Sequence, residues 1–472
     1  MGRLFGIIHH SNQPTFANDE GFSDFMVRDK SKDKPRAEIR ELSDGGRLAI
    51  EHMPSMESFT LGFFLPVGAA HENEEQNGIS HFIEHMLFKG SKKRSAKAIV
   101  KAVERVGGII NASTGREVTY FYIRVSARRL DLAFDVLTDL VFNPEIDRKA
   151  LEREKGVILE EINMNEDDPG QALYDRFLLS IHGNTAFGRP ILGSRENILS
   201  FNRKALVDYH RSHYAPSRLV ASIAGGIDPD RATDLLEKRL GRFSGFKPDI
   251  LHSPRKPRFR PSVGVWPKDV EQSELVIGFP SASIKSQKRY AYSLLDAIMA
   301  GGMMSRLFQE IREKRGLVYS IDSTHQPYSK GGLFTIEAGM REENLMTVLA
   351  LVLREIRRLI DEGPGKRELE DTKLFLRGHW ALGLESTSAR MIRNAMSTLF
   401  FNRLLRHDEV VGKLKAITAD DICEAATRAF ENGGPAVGAL SRFQNGDLLE
   451  QAEERIEEIR QRKGNTNNRV SK

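Results

Sequence analysis

Residues 78–90 read GISHFIEHMLFKG, and both the fold and the chemistry turn on this stretch. On a helix, at about 100° per residue, His85 lies about 40° from His81 and Glu84 about 60° to its other side. Phe82, Ile83, Met86 and Leu87 fill the remaining arc, so the helix predicted over Gly78–Phe88 is apolar nearly everywhere except at these three polar groups. Two imidazoles one turn apart can point at one metal, for which zinc is the usual choice. The carboxylate between them stands where a general base for an attacking water belongs. In a chain with 13 His, an accidental H-x-x-E-H is expected on the order of 0.03 times.

Outward from this helix, the chain alternates strands and helices. A strand at Ser58–Val67 precedes it, a shorter one at Arg47–Glu51 comes earlier, and a break at Gly90 follows. Helical spacing continues at Ala96–Val106, Leu130–Phe142 and Arg148–Met164, with one or two strands in Ile109–Val125 and another at Ser217–Ile223. Phe246–Pro267 then carries five prolines among basic residues, the composition of an extended linker. Beyond it the order recurs: strand Glu274–Pro280, helix Tyr290–Ala300, break Gly301-Gly302. A helix at Ser305–Lys314, strands at Val318–His325 and Gly332–Ala338, and a helix at Glu343–Ile360 follow. A period of about 210 residues implies two similar α/β domains. The predicted division is an N-terminal extension 1–36, a first domain 37–245, a linker 246–267, a second domain 268–446 and a C-terminal helix and tail 447–472.

Two histidines leave a zinc site one protein ligand short. On the helix Arg148–Met164, Leu151, Glu154, Ile158, Glu161 and Ile162 fall within about 60° of Ile158, so two carboxylates share the apolar face. A carboxylate on a core-facing stripe is costly unless paired or metal-bound. Glu161 is therefore the candidate third ligand, and Glu154, two turns earlier, a candidate for orienting a ligating His. His71 and Glu72 lie nearby in sequence but read more weakly, His71 as a loop residue.

H-x-x-E-H is the inverted zinc-protease signature. HFIEHMLFKG, followed 76 residues after His85 by the second Glu of VILEEI, resembles the M16 metallopeptidases. It is most similar to their two-domain class, that of the mitochondrial processing peptidase β-subunit and its bacterial relatives. The resemblance spans roughly residues 37–445 and implies an α+β fold: two similar α/β-sandwich domains, each a mixed, largely antiparallel sheet with helices packed on it, joined by a linker and facing each other. It implies that His81, His85 and Glu161 bind one Zn2+ per chain, that Glu84 is the catalytic base and that Glu154 supports a ligand. It also implies that Asn111-Ala112-x-Thr114 begins a strand that pairs with an extended substrate. In REKRGLVY, Arg312 and Tyr319 match a pair that reaches from the second domain to grip the substrate and help the oxyanion. The second half has Tyr292-Ser293-Leu294-Leu295-Asp296-Ala297 where the first has its histidines. The implied activity is zinc-dependent endopeptidase action on peptides or unfolded precursor segments, by a homodimer or a heterodimer with a paralogous subunit. The alternative is a non-catalytic or partner-dependent subunit of a peptidase complex.

Composition excludes other classes. Seventy Lys+Arg against 65 Asp+Glu give a net charge of only +5 over 472 residues, with the signs interspersed. The basic clusters Lys89–Arg94 and Arg255–Arg260 lack a nucleic-acid module with repeated aromatics, so no nucleic-acid partner is expected. The longest apolar runs, such as Leu61–Val67 and Leu219–Ile223, are strand-sized and far short of the roughly 20 residues of a spanning helix, so no membrane role is expected. A single cysteine, Cys423, excludes an intrachain disulfide framework and any C-x-x-C site, so a metal site has to be built from His and Glu. Met1–Arg36 lacks the apolar core of a secretory signal, and its Asp19, Glu20, Asp24 and Asp29 suit a mitochondrial presequence poorly. A cytoplasmic location is the default expectation.

Overall fold

The computed structural model of the protein describes residues 36–243, 253–432 and 434–442, with Glu450 and Glu454. Of the predicted segments, 1–35, the start of the linker and nearly all of 447–472 lie outside the described residues. The first half contains strands β1 (Arg36–Glu41), β2 (Arg47–His52), β3 (Ser58–Leu65), β4 (Ile109–Thr114), β5 (Thr119–Ser126) and β6 (Val220–Gly225). Its helices are α1 (Ile79–Leu87), α2 (Ala96–Glu104), α3 (Leu130–Phe142), α4 (Arg148–Asp167), α5 (Pro169–His182), α6 (Arg195–Ser200), α7 (Arg203–His213) and α8 (Pro229–Leu240). The second half contains β7 (Val263–Pro267), β8 (Ser273–Pro280), β9 (Val318–Tyr328), β10 (Gly331–Met340) and β11 (Ala436–Ser441). Its helices are α9 (Arg289–Ala300), α10 (Leu345–Glu362), α11 (Lys366–Gly383), α12 (Thr387–Phe401), α13 (His407–Lys415) and α14 (Ala419–Thr427).

The first sheet runs β1-β2-β6-β3-β5-β4 and the second β7-β11-β8-β10-β9. Without β1 the two orders superpose strand for strand. Each is antiparallel except for one parallel pair, β2 with β6 and β7 with β11, in the same place. The recurrence read from the sequence is thus a repeat of topology, and the fold is the expected pair of mixed, largely antiparallel sheet-and-helix domains. β7 lies inside the stretch predicted to be linker. It is an edge strand, where Pro267 removes no hydrogen bond that the sheet needs. Within Ser305–Lys314, predicted as an ordinary helix, Phe308–Glu313 is wound as a π-helix.

Strand β3 shows how the layers form. Phe59, Leu61, Phe63 and Leu65 enter the main core of the first half, while Phe64 belongs to a separate cluster on the other face. That other face is covered by α12, a helix of the second half. Thr60 Oγ1 lies 2.9 Å from Thr387 Oγ1, and a Cβ on Gly62 would meet Met391 Sδ at 2.4 Å. The second sheet repeats the device in reverse. On β8, Leu275, Ile277 and Phe279 face their own helices, whereas Val276 and Gly278 face α5 of the first half. A Cβ on Gly278 would come within 2.4 Å of Phe177 Cζ. Each half lends one helix to the back of the other's sheet, and a glycine lets it approach. The buried Glu51 on β2 ties the exchange down, accepting hydrogen bonds from Arg390 and from Asn394 Nδ2 on α12, the latter at 2.7 Å.

Candidate metal centre

Helix α1 packs against β4, α4 and α7, with Phe82, Ile83, Met86 and Leu87 fully buried. Burying these four side chains fixes which way the rest of the helix faces, and His81, Glu84 and His85 are turned toward α4 and β4. His81 Nε2 and His85 Nε2 are 3.2 Å apart. Glu161 Oε2, from α4, lies 3.7 Å from the first and 3.5 Å from the second. Among the described residues this trio is the group of side chains close enough to hold a metal ion. Four ligands at zinc's usual ~2.0–2.1 Å stand about 3.3–3.4 Å from one another, so the triangle fits the ion.

Helix α4 begins at an Asp147 cap whose side chain accepts from Ala150 N, and it buries Leu151, Ile158 and Ile162. The same stripe carries Glu154, only 3% exposed. Its Oε1 is 2.9 Å from His85 Nδ1, and its Oε2 accepts from Lys89 Nζ at 2.7 Å. In the neutral ring this pairing puts the proton on Nδ1 and leaves Nε2 to face the metal position. Lys89, in the turn just after α1, escaped sequence reasoning, although its place four residues after His85 was a usable signal.

Burial works against charge on His85, but the hydrogen bonds to Glu154 and Glu161 prevail and raise its pKa to about 9. His81 goes the other way: burial first, then the neighbouring His85, lower it to about 4. Glu161 is held below the usual carboxylate range, chiefly by its hydrogen bond to His85. Three carboxylates and one ammonium around two imidazoles make a centre that draws a dication.

Glu84 sits beside this triangle, and the Thr114 hydroxyl at the end of β4 donates to its Oε2. Burial raises its pKa, partly offset by that hydrogen bond. β4 is the edge of the first sheet, so one side of its backbone is open to another strand. Asn111 and Ala112 lie on it, with Asn111 Oδ1 accepting from Ala112 N at 2.8 Å. The structure therefore brings together seven of the ten predicted site residues on α1 and α4 or at the β4 end: His81, Glu84, His85, Glu154, Glu161, Thr114 and, along the same strand, Ala112; Asn111, beside it in mid-strand, is exposed. Arg312 and Tyr319 belong to the second half. Both are exposed, Arg312 stacking on the Phe308 ring at 4.9 Å, and neither makes a hydrogen bond or ion pair with the cluster among the described residues.

Comparison with known proteins agrees with this arrangement. The family described as insulinase, peptidase family M16, matches residues 47–195, and the peptidase M16 inactive domain matches residues 200–376. A Bacillus subtilis protein described as the uncharacterised zinc protease YmxG is 34% identical over 387 residues, spanning 82% of this chain and 94% of that protein. A Streptomyces coelicolor protein described as an uncharacterised zinc protease is 35% identical over 388 residues, 81% of this chain and 84% of its own length. In fold, the chain is similar to a Pseudomonas fluorescens structure described as a peptidase M16 inactive domain, with a TM-score of 0.80 at 18% identity over 86% of this chain and 98% of that one. A Helicobacter pylori protease structure gives 0.78 at 21% identity over 86% and 99%. With a zinc-ligand triangle in the half that matches the peptidase domain and none described in the half that matches the inactive domain, the chain belongs to peptidase family M16 and is a zinc-dependent metalloendopeptidase.

Proposed function

We propose that His81, His85 and Glu161 are the zinc ligands and Glu84 the general base of peptide-bond hydrolysis in this chain. The observation that carries this reading is the convergence of three ligand atoms beside a carboxylate anchored by Thr114. Zinc, when bound, polarises the scissile carbonyl and brings the pKa of the attacking water toward neutrality. Glu84 takes the water's proton and passes it to the leaving amine, and the Thr114 hydroxyl keeps its carboxylate aimed during both transfers. Glu154 holds His85 by Nδ1, and Lys89 holds Glu154.

The substrate is an extended peptide or unfolded segment laid against β4, paired through backbone hydrogen bonds near Asn111, Ala112 and Thr114. An open sheet edge ending at the catalytic carboxylate supports this. Arg312 and Tyr319 engage the substrate from the second half, Tyr319 being 54% exposed and free to do so. The chain acts as a dimer, with a second copy or a paralogous subunit. Exposed Met303, Met304, Phe375 and Leu382 in the second half support that reading as an apolar surface for a partner. The decisive test is Glu84→Gln, which keeps the ligand set and removes the base: zinc content stays at one per chain and hydrolysis disappears. Near-normal turnover in that variant sinks the assignment.

A further inference from the structure

The two metal-facing imidazoles are held differently. His85 is fixed at its second nitrogen by Glu154. His81 is not: its Nδ1 is buried and has no hydrogen-bond partner among the described residues. Where its ring points therefore depends on where the first turn of α1 is placed, since His81 is the third residue of that helix.

The first turn cannot cap itself. The residue before it, Gly78, has φ +98°, and a Cβ there would meet Leu192 O at 2.7 Å and Gly193 Cα at 2.8 Å. Residue 78 is thus confined to glycine, which has no side chain to satisfy the free N–H groups of the helix start. Glu72 supplies the acceptor from six residues upstream. Its Oε2 accepts from Gly78 N at 2.8 Å and from Asn77 Nδ2 at 3.4 Å, and its Oε1 accepts from Ser80 N at 2.9 Å. The residue is 4% exposed, and no cation pairs with its carboxylate among the described residues. The nearest guanidinium contact, Arg189 Nη2, goes instead to the Glu72 carbonyl at 2.7 Å and fixes the loop. What balances the buried carboxylate is the positive end of α1 itself.

We propose that Glu72 is the positioning residue for His81: by gripping the N–H groups on either side of Ile79 it sets the first turn of α1 and so aims the imidazole whose Nδ1 no side chain holds. The proposal rests on the metal-ligand reading above. It also gives a function to a residue that sequence reasoning had weighed beside His71 and set aside.

The test compares Glu72→Ala, Glu72→Asp and Glu72→Gln with wild type, measuring zinc affinity by competition with a chromophoric chelator and the visible absorption of the Co2+-substituted protein. Ile83→Val, which loosens α1 packing without touching its first turn, serves as the stability control, with each metal-free protein's thermal midpoint recorded. Glu72→Ala is expected to weaken zinc binding at least about tenfold and to alter the cobalt bands. Glu72→Asp, too short to reach both N–H groups, should show a smaller loss with the same spectral change. Glu72→Gln, which keeps one of the two acceptor oxygens and turns an amide NH2 toward the other N–H, should recover only part of the affinity. If the alanine variant does not fold, the aspartate and glutamine variants carry the comparison. Wild-type affinity with unchanged cobalt bands in the aspartate and alanine variants overturns the proposal. So does a loss no greater than that of Ile83→Val at equal thermal midpoint. Failure of the wild-type chain to bind zinc would instead remove the metal-ligand reading and this proposal together.

Discussion

The two halves place a carboxylate in the same frame and use it differently. In the first, Glu84 on α1 receives the hydroxyl of Thr114 from edge strand β4. In the second, Asp296 on α9 receives the hydroxyl of Ser323 from edge strand β9, at 2.5 Å. α1 and α9 occupy matching places in the repeated topology, as do β4 and β9. Around Glu84 stand His81, His85 and Glu161. Around Asp296 stand Tyr292 and His325, stacked with ring centroids 5.1 Å apart. Burial drives Asp296 up to about pH 7 against its hydrogen bonds to Ser323 and the His325 backbone, and drives His325 down to about 4. A helix carboxylate tied to an edge-strand hydroxyl is therefore a joint of the shared frame. In the function proposed above it becomes catalytic machinery only where two imidazoles and a second carboxylate are added.

This contrast can be broken most sharply by exchanging insults between the halves. Glu84→Gln is expected to lower peptide hydrolysis by at least about 10²–10⁴-fold, the usual weight of a general base, in a steady-state assay with zinc content unchanged. Asp296→Asn, its counterpart, should leave turnover within about twofold; a collapse comparable to that of Glu84→Gln would mean the second half is catalytic after all. Next in size, Lys89→Met releases Glu154 from its cation and should weaken zinc binding about 10-fold, read by chelator competition, because the carboxylate orienting His85 loses its anchor.

The exchanged helices give a stability test. Gly278→Ala drives a methyl into the Phe177 ring and should cost about 1–3 kcal/mol in denaturant unfolding, as overpacking usually does. Gly62→Ala meets both the end of Met391 and the buried Phe64 ring, the latter at 2.6 Å, and should cost a similar amount.

The last effect concerns pH. The folded pKa of Asp296 lies above its unfolded value, so the native state holds a proton that the unfolded chain gives up. Stability from this group is complete in acid below the unfolded carboxylate range and is lost as pH rises through about 7. Relative to wild type, Asp296→Asn should gain thermal stability between pH 5 and pH 8, roughly in step with that titration. A difference that stays flat across the range would show that Asp296 is already ionised at pH 5.

Much of this was legible in residues 78–90 alone, because a metal site on a helix writes its geometry into sequence spacing. Glu161 and Glu154 could be found since carboxylates on the apolar stripe of α4 contradict its pattern. Lys89 was overlooked because a lysine in a basic run looks like solvated surface until its partner is seen. The exchange of α5 and α12 left no readable trace: an amphipathic helix records that it has a buried face, not whose sheet buries it. Glycines 62 and 278, each in the middle of a strand, were the nearest signal. Glu72 reads weakly for another reason: two of its three partners are backbone N–H groups, which every sequence has.

The exchange also sets a schedule for biosynthesis. The first sheet is complete once β6 ends at Gly225, yet the helix that covers its back face begins only at Thr387. Until the ribosome has released that segment, Phe64, Val220 and Ala224 of a finished sheet stand without the residues that shield them. The nascent chain thus passes through a long interval with an uncovered apolar face, the kind of transiently exposed surface that makes a folding chain prone to aggregate. A truncated first half should inherit that condition permanently.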